Sequence, residues 1–248
     1  MLLKTDAVVL KQSKFGEGHA VLTLFSKKTG KLQAVNKGYK KSGGKYSVGT
    51  QPFCYGEFVL FKGSGLYQIS QVDLKDSFYK LRENVIKLTY ASYILELTER
   101  MVTEGQTNNR LFYTLLQFLH IFSNFHKEYE TLIKAYELKL LMYSGYKPEM
   151  NNCVHCGNNY KEKIKFSVNE GGILCESCFR EDSYAMQISK VTINVMKFLM
   201  DTDLEQISKL KIKPNVLKEL NKIVKEYIYT YIDKKQFKSL QFLESIKE

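Results

Sequence analysis

Through the first third of the chain, apolar and polar positions alternate with a period near two; from residue 81 onward the period lengthens to between three and four. Segments 7–10, 20–26, 32–36, 53–61 and 66–73 are short and rich in β-branched, aromatic and aliphatic residues, and glycines such as Gly16, Gly30, Gly43 and Gly63 punctuate them. Five closely spaced strands of this kind predict a small antiparallel barrel. Val21, Leu22, Leu24, Phe25, Phe58, Leu60, Ile69 and Val72 are its expected core.

The longer period predicts helices. Over 81–102 it sets Leu81, Val85, Leu88, Ser92 and Leu95 on one stripe; over 110–125 it turns Leu111, Leu115, Phe118 or Leu119, and Phe122 inward. Residues 128–144 bury Leu132, Tyr136 and Leu140 or Met142, and Gly145 is expected as a left-handed stop before Pro148. Ser189 is placed to cap a helix through Met200, and Pro214 to open one reaching about Ile232. The basic, aromatic tail 234–243 is expected to fold back onto the barrel or the bundle.

With 248 residues and 44% hydrophobic content the chain can bury a real core, in two domains or one with an appendage. The start, with Lys4 and Asp6 among apolar residues, reads as a strand and not a secretory leader. No apolar run approaches the roughly 18 residues that cross a bilayer. A soluble protein of a reducing compartment, with no membrane partner, is expected.

The net charge of +11 is unevenly placed. Residues 1–80 hold 13 lysines, no arginine and 5 acids, whereas 81–248 hold 24 basic and 21 acidic groups. Between Glu17 and Glu57 there is no acid, while Lys27, Lys28, Lys31, Lys37, Lys40, Lys41 and Lys45 fall there, interleaved with Tyr39, Tyr46, Phe53 and Tyr55. Flat rings among lysines suit a surface on which bases stack while ammonium groups follow phosphates; the other reading is a solvated lysine-rich face. The glycines and serine of 37–45 make it a loop between strands, and the nearly balanced helical part directs the expectation to the barrel.

Cys153-Val-His-Cys156, an 18-residue insert and Cys175-Glu-Ser-Cys178 have the spacing of a four-thiolate zinc site, since each knuckle offers two sulfurs to one ion. Two disulfides or four unrelated thiols are the alternatives. Such a closed site has no open position for substrate, so one zinc ion with a structural role is expected. His155 is a possible substitute ligand. Cys54 is the only other cysteine.

No catalytic constellation can be named. Gly38 and Gly43 have P-loop separation, but Gly44 takes the lysine position and Tyr46 follows Lys45. Gly16-Glu-Gly18 lacks the third glycine of a dinucleotide fingerprint, and there is no His-Glu-x-x-His.

The joint order of Phe15-Gly-Glu17, Leu24-Phe-Ser26, Gly30, Lys37-Gly38 and Gln51-Pro-Phe53, then Leu141-Met-Tyr-Ser-Gly-Tyr-Lys-Pro148, Cys153-x-x-Cys-Gly157, Gly171-Gly172, Cys175-x-x-Cys178 and Lys238-Ser-Leu-Gln-Phe-Leu243 resembles the bacterial recombination mediator family RecO over almost the whole chain. Gly18-His19-Ala20 departs from the Thr-Asp-like pair more usual there. The resemblance implies an α+β protein: an N-terminal OB-fold β-barrel (1–80) and an all-helical domain (81–150 and 184–248) with an inserted four-cysteine zinc finger (151–183). It implies a cytoplasmic, nucleoid-associated DNA-repair protein that is not an enzyme. Such a protein binds single- and double-stranded DNA, anneals complementary strands, and acts with RecR and single-stranded DNA-binding protein to load RecA. On this chain the expected zinc ligands are Cys153, Cys156, Cys175 and Cys178, and the expected nucleic-acid contacts are Lys14, Lys28, Lys31, Lys37, Tyr39, Lys40, Lys41 and Lys45. An RNA-binding OB and zinc-ribbon protein, or an adaptor docking acidic tails, are the other readings.

Overall fold

The alternating segments form strands β1 (Leu2–Phe15), β2 (His19–Ser26), β3 (Gly30–Asn36), β4 (Tyr55–Lys62) and β5 (Tyr67–Asp76). The computed structural model describes residues 2–37, 48–63, 65–125, 129–161, 163–232 and 235–245. The strands close into a barrel in the order β1-β2-β3-β5-β4, with β4 returning to β1 and the one parallel pairing between β3 and β5. This is the OB arrangement. The long β1 makes closure possible: residues 2–8 pair with β4 and 7–15 with β2, and a register shift between Val9 and Lys11 turns the strand from one partner to the other.

The two-residue period decides the inside. Ala7, Val9, Leu22, Leu24, Leu32, Ala34, Cys54, Phe58 and Leu60 fill the barrel, with Ile69 and Val72 packed against them at its edge. Phe25, on the other face of β2, is also fully buried, because Phe112 of the helix α2 (Asn109–Asn124) meets it edge-to-face at 5.7 Å. Phe53 departs from the expected strand. It sits before β4 at φ 75°, is buried, and lies under the guanidinium of Arg82 at 5.4 Å, so it offers no ring to solvent.

The chain divides into two compact units, Met1–Asn124 with Gln236–Glu248, and Phe125–Lys235. In the first, the barrel is joined by α1 (Val85–Met101), α2 and a C-terminal helix. Asn84 caps α1 by accepting from the Lys87 N–H at 3.0 Å. Of the expected stripe, Leu81 and Leu95 are buried, but Val85 is half exposed and Leu88 and Ser92 are only partly buried; the buried face instead takes in the row Lys87, Ala91, Ile94 and Thr98. Two polar members of that row hide it from a hydrophobic count. The tail folds back as expected, with Phe237 against Tyr93 at 4.9 Å, the Arg100 guanidinium 4.1 Å over the Phe237 ring, and Ser239 Oγ donating to Glu96 Oε2 at 2.9 Å.

The second unit holds α3 (Tyr129–Tyr143), the sheet of β6 (Ile164–Ser167), β7 (Gly172–Cys175) and β8 (Met186–Gln187), and then α4 (Lys190–Asp201), α5 (Leu204–Ile207) and α6 (Pro214–Tyr231); the C-terminal helix of the first unit is α7 (Lys238–Ser245). Gly145 ends α3 at φ 90°, and Ser189 caps α4 by accepting from the Thr192 N–H at 3.2 Å, both as the sequence predicts. Among the described residues, no helix is long and apolar enough to cross a membrane.

Three lysines serve helix ends inside the fold. Lys31 Nζ donates to Glu99 O at the end of α1 (2.8 Å), Lys87 Nζ to Ser123 O at the end of α2 (2.9 Å), and Lys139 Nζ to Met200 O at the end of α4 (2.8 Å). Each ammonium meets carbonyls that no further turn satisfies, at the negative end of the helix dipole. Part of the positive charge in the sequence is therefore structural.

Candidate metal centre and nucleic-acid interface

The two Cys-x-x-Cys knuckles come together because β6 and β7 form a hairpin that sets Cys175 opposite Ile164, while the Val154 N–H donates to Ile173 O at 2.8 Å and lays the first knuckle against it. Gly157 closes that knuckle at φ 74°, its N–H on Cys153 O at 2.8 Å. The second knuckle is a single 3-10 turn, Glu176–Cys178. Leu174 and Ala185 pack beneath with Val154 and Phe179.

The sulfurs of Cys153, Cys156, Cys175 and Cys178 all lie within 4.8 Å of one another, and all four are free thiols. Cys156 Sγ and Cys175 Sγ are 3.7 Å apart. A disulfide would hold them at about 2.05 Å, whereas a tetrahedral ion with bonds of about 2.3 Å separates its sulfurs by about 3.8 Å. The donor set fits one ion, and four thiolates could hold it. Burial works against the Cys153 thiolate, but N–H groups of Cys156, Cys175 and His155 outweigh it and bring this thiol down to about 6. Burial, and then sulfur hydrogen bonding among the group, push Cys175 and Cys178 up. Without a metal, one thiolate suppresses the next. His155 points elsewhere, its Nε2 3.8 Å from Glu181 Oε2.

Cys54 is separate: its buried thiol donates to Val48 O at 3.2 Å, and burial raises its pKa. Such a thiol is an unreactive part of the barrel core.

Register divides the sequence-predicted lysines between the two ends of the barrel. Lys14 pairs with Ala20, which pairs with Asn36, so Lys14 and Lys37 share one end. Lys28 and Lys31 lie at the opposite end of β3, about 20 Å away at ~3.3 Å per residue. Lys31 is already bonded to Glu99 O, which removes it from the exposed set. Tyr39, Lys40, Lys41 and Lys45, with most of their loop, lie outside the described residues. Tyr55 is partly buried, between Phe112 at 6.3 Å and Lys75 at 5.4 Å.

Ion pairing sorts the remaining cations. Lys4 is on Glu57 (2.8 Å), Lys11 on Glu99 (3.1 Å) and Lys75 on Asp6 (2.5 Å). Among the described residues Lys14, Lys27, Lys28, Lys37 and Lys62 form no ion pair, and Lys27 Nζ stands 5.3 Å over the Tyr113 ring. Lys14 and Lys37 belong to one end and Lys27 and Lys28 to the other, whereas Lys62 reaches β3 through Tyr67 at Ala34, midway between Lys31 and Lys37. Lys62 Nζ stands 6.0 Å from the Tyr67 ring, and Phe15, beside Lys14, is half exposed. Lys62, Tyr67 and Phe15 are not among the contacts that the sequence predicts. Phe15 carried a local signal, an aromatic between a lysine and a turn glycine; the other two become visible only through cross-strand pairing.

A closed OB barrel with an unpaired basic, aromatic end, together with a four-cysteine segment able to hold a metal, defines an OB-barrel protein with a metal-binding finger. Comparison with known proteins specifies it further. Residues 1–78 match the family model described as Recombination protein O N terminal, and 82–241 that described as Recombination protein O C terminal. The chain is 43% identical over 246 residues to the DNA repair protein RecO of Alkaliphilus metalliredigens, covering 99% of this chain and 100% of that one. It is 35% identical to those of Desulforamulus reducens (99% of this chain, 95% of the relative) and Clostridium perfringens strain 13 (100% and 99%). The chain belongs to the RecO family of DNA repair and recombination proteins.

Proposed function

We propose that this chain binds single- and double-stranded DNA, anneals complementary strands and, with RecR, helps to load RecA onto strands covered by single-stranded DNA-binding protein. Family membership supports this, and one observation carries it: Lys14 and Lys37 share one barrel end with the half-exposed Phe15, and among the described residues neither they nor Lys62 forms an ion pair. Unpaired ammonium groups there displace counterions from phosphates, which gives affinity with little sequence preference and a strong salt dependence. Rings beside them accept stacked bases. Annealing requires no bond chemistry. Neutralising two strands on one protein lowers their repulsion, and base pairing supplies the driving force, so the chain acts as a mediator and not an enzyme.

We assign strand binding to 1–80, the helical platform to 81–150 and 184–248, and a finger to 151–183. The finger holds one zinc ion on Cys153, Cys156, Cys175 and Cys178, with a structural role, because four protein thiolates close the coordination sphere. The protein works in the cytoplasm, at the nucleoid. The test is annealing of two complementary oligonucleotides, bare and coated with single-stranded DNA-binding protein. Acceleration by the chain supports the proposal; a rate equal to the protein-free control contradicts it. Stronger binding to RNA than to DNA of the same sequence would move the reading to an RNA-binding role.

A further inference from the structure

The helix α6 presents a second row of unpaired cations, and we propose that it binds the sugar-phosphate backbone of double-stranded DNA, apart from the single-strand surface on the barrel. This rests on the reading that the chain binds DNA. Charge over 81–248 nearly cancels, but that balance is an average: 209–225 hold Lys209, Lys211, Lys213, Lys218, Lys222 and Lys225 against a single acid, Glu219. The Glu219 carboxylate is occupied. It accepts from the Ser189 N–H at 2.9 Å and from Ser189 Oγ at 2.8 Å, and also from Thr192 Oγ1, and among the described residues it forms no ion pair with any of these lysines.

Lys218, Lys222 and Lys225 recur at steps of four and three, and Tyr229 follows four residues on, so all four lie along one row. The row is opposite the buried face of Leu220, Val224 and Tyr227. The three lysines are exposed, and among the described residues none forms an ion pair; Lys225 Nζ stands 5.6 Å from the Tyr229 ring. Glu226 is beside the row and likewise unpaired among the described residues. Like charges at these spacings weaken a helix, and a bound polyanion removes that cost.

The geometry favours a duplex. From Lys218 to Tyr229 the row is straight over about 16 Å at ~1.5 Å per residue, the axial rise of roughly five phosphates of one duplex strand at ~3.4 Å each. A single strand is held by successive stacking platforms, and this row has one ring, already beside Lys225. An acidic peptide with apolar anchors would need exposed apolar side chains, and among the described residues α6 has no exposed large hydrophobic one.

The test is fluorescence anisotropy of the full chain with a short labelled duplex and with a labelled thymine oligonucleotide over a range of NaCl. The triple variant Lys218→Glu, Lys222→Glu, Lys225→Glu is expected to lose at least tenfold in duplex affinity at low salt. Its log–log salt slope should shrink by up to about 2.7, from ~0.9 per lost phosphate contact, while affinity for the oligonucleotide stays within twofold. The triple Lys→Gln variant, which keeps the helix face soluble without reversing charge, should show a smaller loss of the same selectivity; circular dichroism confirms that both fold. Unchanged duplex affinity and slope overturn the proposal, as does an equal loss for both ligands. Binding of an acidic peptide that depends on these lysines while duplex binding does not also overturns it. Failure of the oligonucleotide arm in the unsubstituted chain would instead strike at the proposed function.

Discussion

Lys87 Nζ, in the first turn of α1, donates to the main-chain carbonyl of Ser123, in the last turn of α2, at 2.9 Å, and both residues are buried. Burial lowers the pKa of this ammonium below 10.5, with Glu83 opposing the effect; burial does the same to Lys139, opposed by Asp203 and Asp201. An amine whose pKa falls on folding binds its proton more tightly in the unfolded chain. Stability should therefore rise with pH between the folded value and 10.5. Replacing Lys87 with Met keeps much of the volume but orphans the Ser123 carbonyl, at a cost of about 1–3 kcal/mol. Urea melts across an alkaline pH series should show that loss and a flatter pH slope.

The metal centre gives a prediction of the same sign in a lower pH window. In the metal-free protein the Cys153 thiol is held down at about 6, against an ordinary value of 9.0. A group depressed on folding contributes stability above its unfolded value and loses it as pH falls through the folded one. Ultraviolet thiolate absorbance of the metal-free chain should therefore show one early ionisation, absent in Cys153→Ala. Metal analysis should give one zinc per chain, released as acid protonates the thiolates, and release should weaken the fold of the finger while leaving the barrel's circular dichroism unchanged.

Gly30 opens β3 at φ 66°, and a Cβ there would land on the main-chain carbonyl of Gln106. Neither backbone can give way cheaply, and an L-residue is strained at that φ. Gly30→Ala should cost at least about 2 kcal/mol, whereas Gly105→Ala, also at positive φ but facing open space, should cost about 1 kcal/mol. Chemical denaturation of the two variants compares them directly.

Base stacking on the barrel can be tested apart from charge. Tyr67→Ala and Phe15→Ala should each weaken oligonucleotide binding by about 1–3 kcal/mol per lost stack without altering the salt slope, since neither removes a phosphate contact. Tyr67→Phe should bind like the original chain. Anisotropy titrations in two salt concentrations separate the two terms.

The sequence made the barrel and the four cysteines legible for local reasons. Leu22, Leu24, Phe58 and Leu60 declare the inside of the barrel through a two-residue period, and Cys-x-x-Cys knuckles bring their own geometry. What escaped it was set by contacts between distant segments. Lys31 reads as one more member of a basic run until Glu99, 68 residues away, takes its ammonium. Lys62 and Tyr67 come level with Ala34 of β3 only because β5 returns parallel to β3. Phe53 follows Pro52 into a turn, where a β-propensity count would continue the strand. On α1 the expected Leu95 is buried, but Lys87 and Thr98 are polar and yet buried, and a hydrophobic count cannot see that part of the face.

The central claim is that the barrel lysines without an acid partner among the described residues, Lys14, Lys37 and Lys62, grip single-stranded DNA. The most direct measurement is the affinity of the Lys14→Glu, Lys37→Glu, Lys62→Glu variant for a labelled thymine oligonucleotide as NaCl is raised. The account predicts a fall of at least tenfold at low salt and a salt slope reduced by about 2, at ~0.7 per phosphate contact on single strands, with the melting transition and zinc content unchanged. Affinity and slope equal to those of the unsubstituted chain would contradict it.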